Sequence, residues 1–224
     1  MNYYLSILLI SISIPFIFSF HKKIEFYKKF NILPKVLMFS ALPFIIWDFI
    51  FTEIGIWGFN KLYTSNFHIY NLPIEEILFF FIIPFCCLFT CHVMDKYEFT
   101  FFKDINFKYI NYLLIFSLYM TLIFNDFRLY TFVCFLSCIL VLSIENIFIK
   151  KIDYDLFYSL FLVIFIPFFF VNGALTGLFF DKTVVWYNVE AILGFRIVTI
   201  PIEDLFYSHQ LILTNLIFFK KYDC

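Results

Sequence analysis

Two pairs of adjacent carboxyl side chains are the residues of this chain best suited to chemistry. Glu75 and Glu76 follow Pro73-Ile74, and Glu203 and Asp204 follow Pro201-Ile202. A carboxylic acid beside a carboxylate can give a proton to a reacting group and take one back. One such pair at a helix start also serves as a plain cap, because the helix dipole favours negative charge there. Two pairs at matched places argue instead for a shared polar site. Arg196, seven residues before Glu203, is placed to hold one carboxylate ionised. Tyr207 follows Glu203 by four and Asp204 by three, so it shares their helix face. Asp48 and Asn172 close the helices that precede each motif loop, and Asn60, Asn188 and Thr176 lie in those loops. Trp57 and Trp186 stand just upstream of Asn60 and Asn188, serving either the site or an aromatic belt at a membrane interface.

The elements that must position these groups are membrane helices. The chain has 224 residues, 63% apolar and 15% charged, against roughly 45–50% and about 25% in soluble domains. Lipid must meet the excess. Runs of about 18 apolar residues read as spans. Seven occur, near Tyr3–Phe20, Pro34–Phe51, Leu72–Met94, Tyr109–Phe124, Arg128–Ile149, Asp155–Asn172 and Ile200–Phe219. The fold class expected is an all-α membrane protein with about seven transmembrane helices. The stretch 183–200 reads as interfacial, and the first run as an uncleaved helix. Twelve of the 16 Lys and Arg residues fall on one set of connections and four on the other. The basic side is cytoplasmic. This predicts the N-terminus outside, the C-terminus in the cytoplasm, and a multi-pass place in the cell membrane.

The chain also repeats itself. Asn60 precedes Pro73 by 13 residues, and Asn188 precedes Pro201 by 13; the offset between the motifs is 128. The first helix shifted by 128 falls on the fifth. The expected organisation is a first repeat over residues 1–100 (helices one to three), a linker with helix four over 101–127, and a second repeat over 128–224 (helices five to seven). An odd linker makes the two repeats parallel, in a 3+1+3 pattern, and such duplications place a site between the halves. A transporter for small solutes fits the same pattern. Five of the six cysteines, Cys86, Cys87, Cys91, Cys134 and Cys138, lie within helices without a Cys-x-x-Cys pair, and Cys224 ends the chain. They read as packing residues. No nucleotide, flavin or zinc motif occurs, the depths of His92 and His209 do not match for haem, and a net charge of −1 gives no pull on nucleic acid. No cofactor and no metal is expected.

The tandem Leu-Pro-Ile-Glu-Glu-Ile-Leu-Phe-Phe (72–80) and Ile-Pro-Ile-Glu-Asp-Leu-Phe-Tyr (200–207) resemble the lycopene cyclase domain, the small all-membrane type found as heterodimers or fused tandem domains. Asn172-Gly-Ala-Leu-Thr176 and Trp186-Tyr-Asn188 are similar to the second domain of that family. The resemblance spans about residues 3–220. It implies a redox-neutral, proton-triggered cyclisation of lycopene to γ-carotene and then β-carotene in the membrane, with a linear carotenoid as partner and other carotenoid-pathway enzymes nearby. It implies Glu75 and Glu203 as leading proton donor and acceptor, with Glu76 and Asp204 in support. Relatives act on C50 carotenoids or as hydratases, and a non-catalytic membrane subunit is a further alternative. In one place the chain departs from symmetry, since Phe79 stands where the second unit has Tyr207. That favours one composite site over two equal ones.

Overall fold

A computed structural model of the chain describes residues 2–103, 105–179 and 182–223; Cys224 lies outside the described residues. Among these, seven α-helices follow the apolar runs: α1 (Tyr3–Ser19), α2 (Leu33–Glu53), α3 (Ile74–Lys96), α4 (Phe107–Phe124), α5 (Leu129–Ile144), α6 (Tyr154–Leu175) and α7 (Ile202–Tyr222). Five segments are long and apolar enough to cross a membrane: α2, α3, α4, α6 and α5 with the π-helical turn Glu145–Ile149 that extends it. The chain is thus helical and membrane-integral. α1 is apolar but has 17 residues, and α7 carries Glu203 and Asp204 in its first turn and Lys220 and Lys221 in its last.

Among the described residues, six short strands, absent from the expectation, join the helices. They are β1 (Trp57–Phe59), β2 (His68–Ile69), β3 (Leu72–Pro73), β4 (Val185–Tyr187), β5 (Arg196–Ile197) and β6 (Ile200–Pro201). Two or three residues are too few to show an alternating pattern. The stretch 183–200 holds β4, β5 and the first residue of β6, and no helix. β1 pairs antiparallel with β4, setting Trp57 opposite Tyr187 and Gly58 opposite Trp186. Gly58 is needed there, because a Cβ would come within 2.5 Å of the Trp186 ring. β2–β3 and β5–β6 are tight hairpins whose first turn residues, Tyr70 and Val198, take φ of 58° and 59°.

The loop contacts recur at an offset of 128 residues. The Asn60 N–H donates to the Val184 carbonyl and the Asn188 N–H to the Ile56 carbonyl, each at 2.8 Å. The Ile74 N–H reaches the Phe67 carbonyl, and the Ile202 N–H the Phe195 carbonyl, each at 3.0 Å. Pro73 and Pro201 are the cap residues of α3 and α7, extended at ψ 146° and 142°. Their lack of an N–H costs nothing at a helix start. α3 packs against α1, α2, α6 and α7, while α7 also packs against α2 and α5. The two motif helices therefore stand in the middle of the bundle.

Candidate functional site

Adjacent residues on a helix point about 100° apart, so the two carboxyls of each motif go different ways. Glu75 and Glu203 turn toward the loops. Both are fully buried. Glu75 Oε1 accepts the Ser65 N–H at 2.8 Å and the Asn2 side-chain amide. Glu203 Oε1 accepts the Leu193 N–H at 2.7 Å and the Thr131 hydroxyl at 2.5 Å. Each carboxyl thus ties its preceding loop to the start of a neighbouring helix, α1 or α5.

Glu76 and Asp204 turn inward to one cavity of about 340 Å³, which is also lined by Asp48, Trp57, Phe79 and Tyr207. The Tyr4 hydroxyl, in the first turn of α1, donates to Glu76 Oε2 at 2.5 Å. Asp204 accepts two phenols, Tyr130 on Oδ1 at 2.7 Å and Tyr187 on Oδ2 at 2.8 Å. Asp48 is 3% exposed and meets both the Glu76 carboxyl and the Trp57 indole. Among the described residues the buried Tyr207 hydroxyl has no hydrogen-bond partner, and it lies within electrostatic reach of Asp48, Glu76 and Asp204. Tyr187 lies in β4, outside the helices. Burial of its hydroxyl end, reinforced by the neighbouring Asp204 carboxyl, pushes that phenol well above its ordinary value. It therefore remains a donor through the neutral range.

The other expected residues divide between cavity and brace. Asn172 and Thr176 line the cavity wall, the Thr176 hydroxyl donating to the Asn172 carbonyl at 2.8 Å and sharing a bond with Thr199. Asn60 and Asn188 brace loops, their Oδ1 atoms accepting the Leu62 N–H at 3.1 Å and the Glu190 N–H at 3.0 Å. Trp186 is 45% exposed and covers Gly58 outside the cavity. The Arg196 guanidinium donates to the Thr199 carbonyl at 2.5 Å and lies 5.9 Å from the Tyr187 ring. Its hydrogen bond thus goes to a backbone carbonyl of its own hairpin. Away from the carboxyls the cavity wall is mostly apolar, with Ile83, Phe161, Phe165 and Phe168 among its residues.

A family model described as lycopene cyclase matches residues 1–94 and 127–222. The chain belongs to the lycopene cyclase family. No curated protein and no solved structure matches it. Membership supports a role in carotenoid cyclisation, and a carotenoid substrate suits the apolar wall. The residues that the sequence alone did not single out are Tyr4 and Tyr130. They lie 126 residues apart rather than 128, so they fall out of register with the motifs. The signal that finds them is a Tyr in the first turn of both α1 and α5.

Proposed function

We propose that this protein is a membrane lycopene β-cyclase. In this reading, Glu76, Asp48 and Asp204 carry the proton chemistry, and Glu75 and Glu203 hold the loops around them. The observation that carries it is the placement of one buried acidic residue from each motif on a single cavity with a mostly apolar wall. The matched contacts at an offset of 128 support a parallel 3+1+3 duplication, with α4 as the odd helix. The bias of Lys and Arg supports an extracytoplasmic N-terminus and a cytoplasmic C-terminus in the cell membrane.

The hydrogen bonds favour distinct roles for the two acids. A bond between two carboxyls needs a proton between them, since a carboxylate only accepts. Asp48 and Glu76, both buried on the cavity, are read as sharing such a proton, which makes the pair the proton source. Asp204, with a phenol donor on each oxygen, is set up as the acceptor. Glu76 gives its proton to the terminal C=C of the carotenoid, forming a C–H bond and a tertiary cation. The neighbouring C=C supplies the electron pair that closes the six-membered ring and moves the cation to the adjoining carbon. Asp204 then removes a ring proton, and that C–H pair becomes the ring C=C. No atoms or electrons are gained or lost. The faces of Trp57, Phe79 and Tyr207 stabilise the cation in the water-excluded cavity. The proton returns from Asp204 to the Asp48–Glu76 pair between turnovers, and the Tyr207 hydroxyl, both donor and acceptor and within electrostatic reach of all three acids, assists that return.

Expression in a lycopene-accumulating bacterial host tests the reading. The expected result is a change from red to orange-yellow, with γ- and β-carotene on chromatography. Unchanged lycopene beside membrane-inserted protein counts against it.

A further inference from the structure

Three helices that wall the cavity each contain an internal proline, and all three prolines line it: Pro15 of α1, Pro84 of α3 and Pro167 of α6. Such a proline removes one helical hydrogen bond and kinks its helix. The Ser11 carbonyl, four residues before Pro15, loses its helical partner and accepts the Cys86 thiol at 3.5 Å instead. Cys86 thus ties α3 to the carbonyl that Pro15 leaves free in α1, while lining the cavity itself.

The two ends of the cavity differ. At the carboxyl end, Asp48, Glu76 and Asp204 are 3%, 9% and 7% exposed, so this end is closed. At the other end, Ile14 lines the cavity yet is 65% exposed, and Pro167 is exposed as well. Thr90 also lines it, and at 1.5 Å per residue it lies roughly 21 Å along α3 from Glu76. The cavity is therefore a shaft with a polar blind end and an open side on the outer faces of two apolar helices, α1 and α6.

We propose that the carotenoid enters this shaft sideways from the bilayer, end group first, through a portal between α1 and α6 framed by Ile14 and Pro167. This rests on the cyclase reading above. α4 packs on α5, the counterpart of α1 in the second half. Among the described residues, α1 has no such helix packed on its outer face, which places the portal on the α1 side. A blind shaft admits one end at a time. The substrate must back out after the first cyclisation, so the monocyclic product returns to the bilayer and the second ring forms on a later visit.

The test uses the full chain in bacterial membranes made with and without lycopene. Ile14→Cys is labelled with a lipophilic maleimide, and the modified residue is identified by mass spectrometry. Ile10→Cys, 73% exposed one turn away on the same helix and outside the cavity, is the control. Lycopene is expected to protect position 14 and not position 10. In parallel, Ile14→Trp is expected to slow cyclisation roughly tenfold or more at equal membrane abundance, with Ile10→Trp at the wild-type rate. Equal labelling of both positions with and without lycopene overturns the portal, as does a wild-type rate for Ile14→Trp. Protection at position 14 in a protein that never cyclises lycopene upholds the portal and sinks the cyclase reading instead.

Discussion

The Tyr130 hydroxyl donates to Asp204 at 2.7 Å, from the first turn of α5 to the first turn of α7. Tyr4 makes the matching bond to Glu76 at 2.5 Å, from α1 to α3. The halves then diverge, since only Asp204 has a second phenol, Tyr187, on its other oxygen. The two tyrosines on Asp204 are therefore expected to act as a unit. Tyr130→Phe and Tyr187→Phe should each lower turnover by about tenfold, the scale of one charge-assisted hydrogen bond. The double variant should depart from the sum of the two effects in free energy. Product formation per folded protein measures this, and strict additivity would show that the phenols act independently.

Glu75 and Glu203 should behave as structural residues. Each accepts a backbone N–H from a residue ten positions earlier and a side chain from the next helix. Replacing either by Gln weakens these charge-assisted bonds, at a cost of about 1–3 kcal/mol. Thermal unfolding in detergent should show a lowered midpoint for Glu75→Gln and Glu203→Gln. The folded fraction should keep most of its turnover. A normal midpoint with abolished turnover would reverse the division of roles within each motif.

Tyr207 should show the opposite pattern. Its hydroxyl is buried and unpartnered, so removing it relieves an unsatisfied polar group. Tyr207→Phe should unfold at the wild-type temperature or slightly above it. Turnover should fall, because a hydroxyl within electrostatic reach of Asp48, Glu76 and Asp204 is lost. Measured together, a lowered midpoint with normal turnover would make Tyr207 a packing residue.

Alkaline pH should destabilise the fold partly through Tyr187. Its phenol is raised in the folded protein by burial and by Asp204. The native state therefore holds this proton more tightly than the unfolded chain, whose phenol titrates near pH 10. Below about pH 10 the contribution is fully present, and it is lost as pH rises from there toward the raised folded value. Unfolding midpoints across this range should fall more steeply for the wild type than for Tyr187→Phe. Parallel slopes would count against a buried, Asp204-bonded phenol at this place.

Much of the helix layout was legible because long apolar runs leave few other structures. The run read at Tyr109–Phe124 is the helix Phe107–Phe124, and Pro73 and Pro201 cap the motif helices as their missing N–H suggests. Asp48 lies five residues before the end of α2 rather than closing it, because the apolar pattern runs on past it. The different surroundings of the two carboxyls within each pair were not legible. Glu75 and Glu76 differ in direction by only about 100° of helix, and the direction of the cavity is set by which helices pack where. Nor were the phenols, since Tyr4 and Tyr130 come from helices far from the motifs in sequence. Trp186 illustrates a further limit. It resembles Trp57 in sequence, yet across the β1–β4 pair it faces Gly58, while Tyr187 sits opposite Trp57 and reaches the site.

The most direct test of the central claim compares Glu76→Gln and Asp204→Asn with the wild type in lycopene-containing membranes, at matched abundance and matched thermal stability. General acid or base removal costs about 10²–10⁴-fold in rate. Both variants are expected to lose cyclisation on that scale while remaining folded. Wild-type rates of carotenoid cyclisation in both would contradict an acid–base pair drawn from the two motifs.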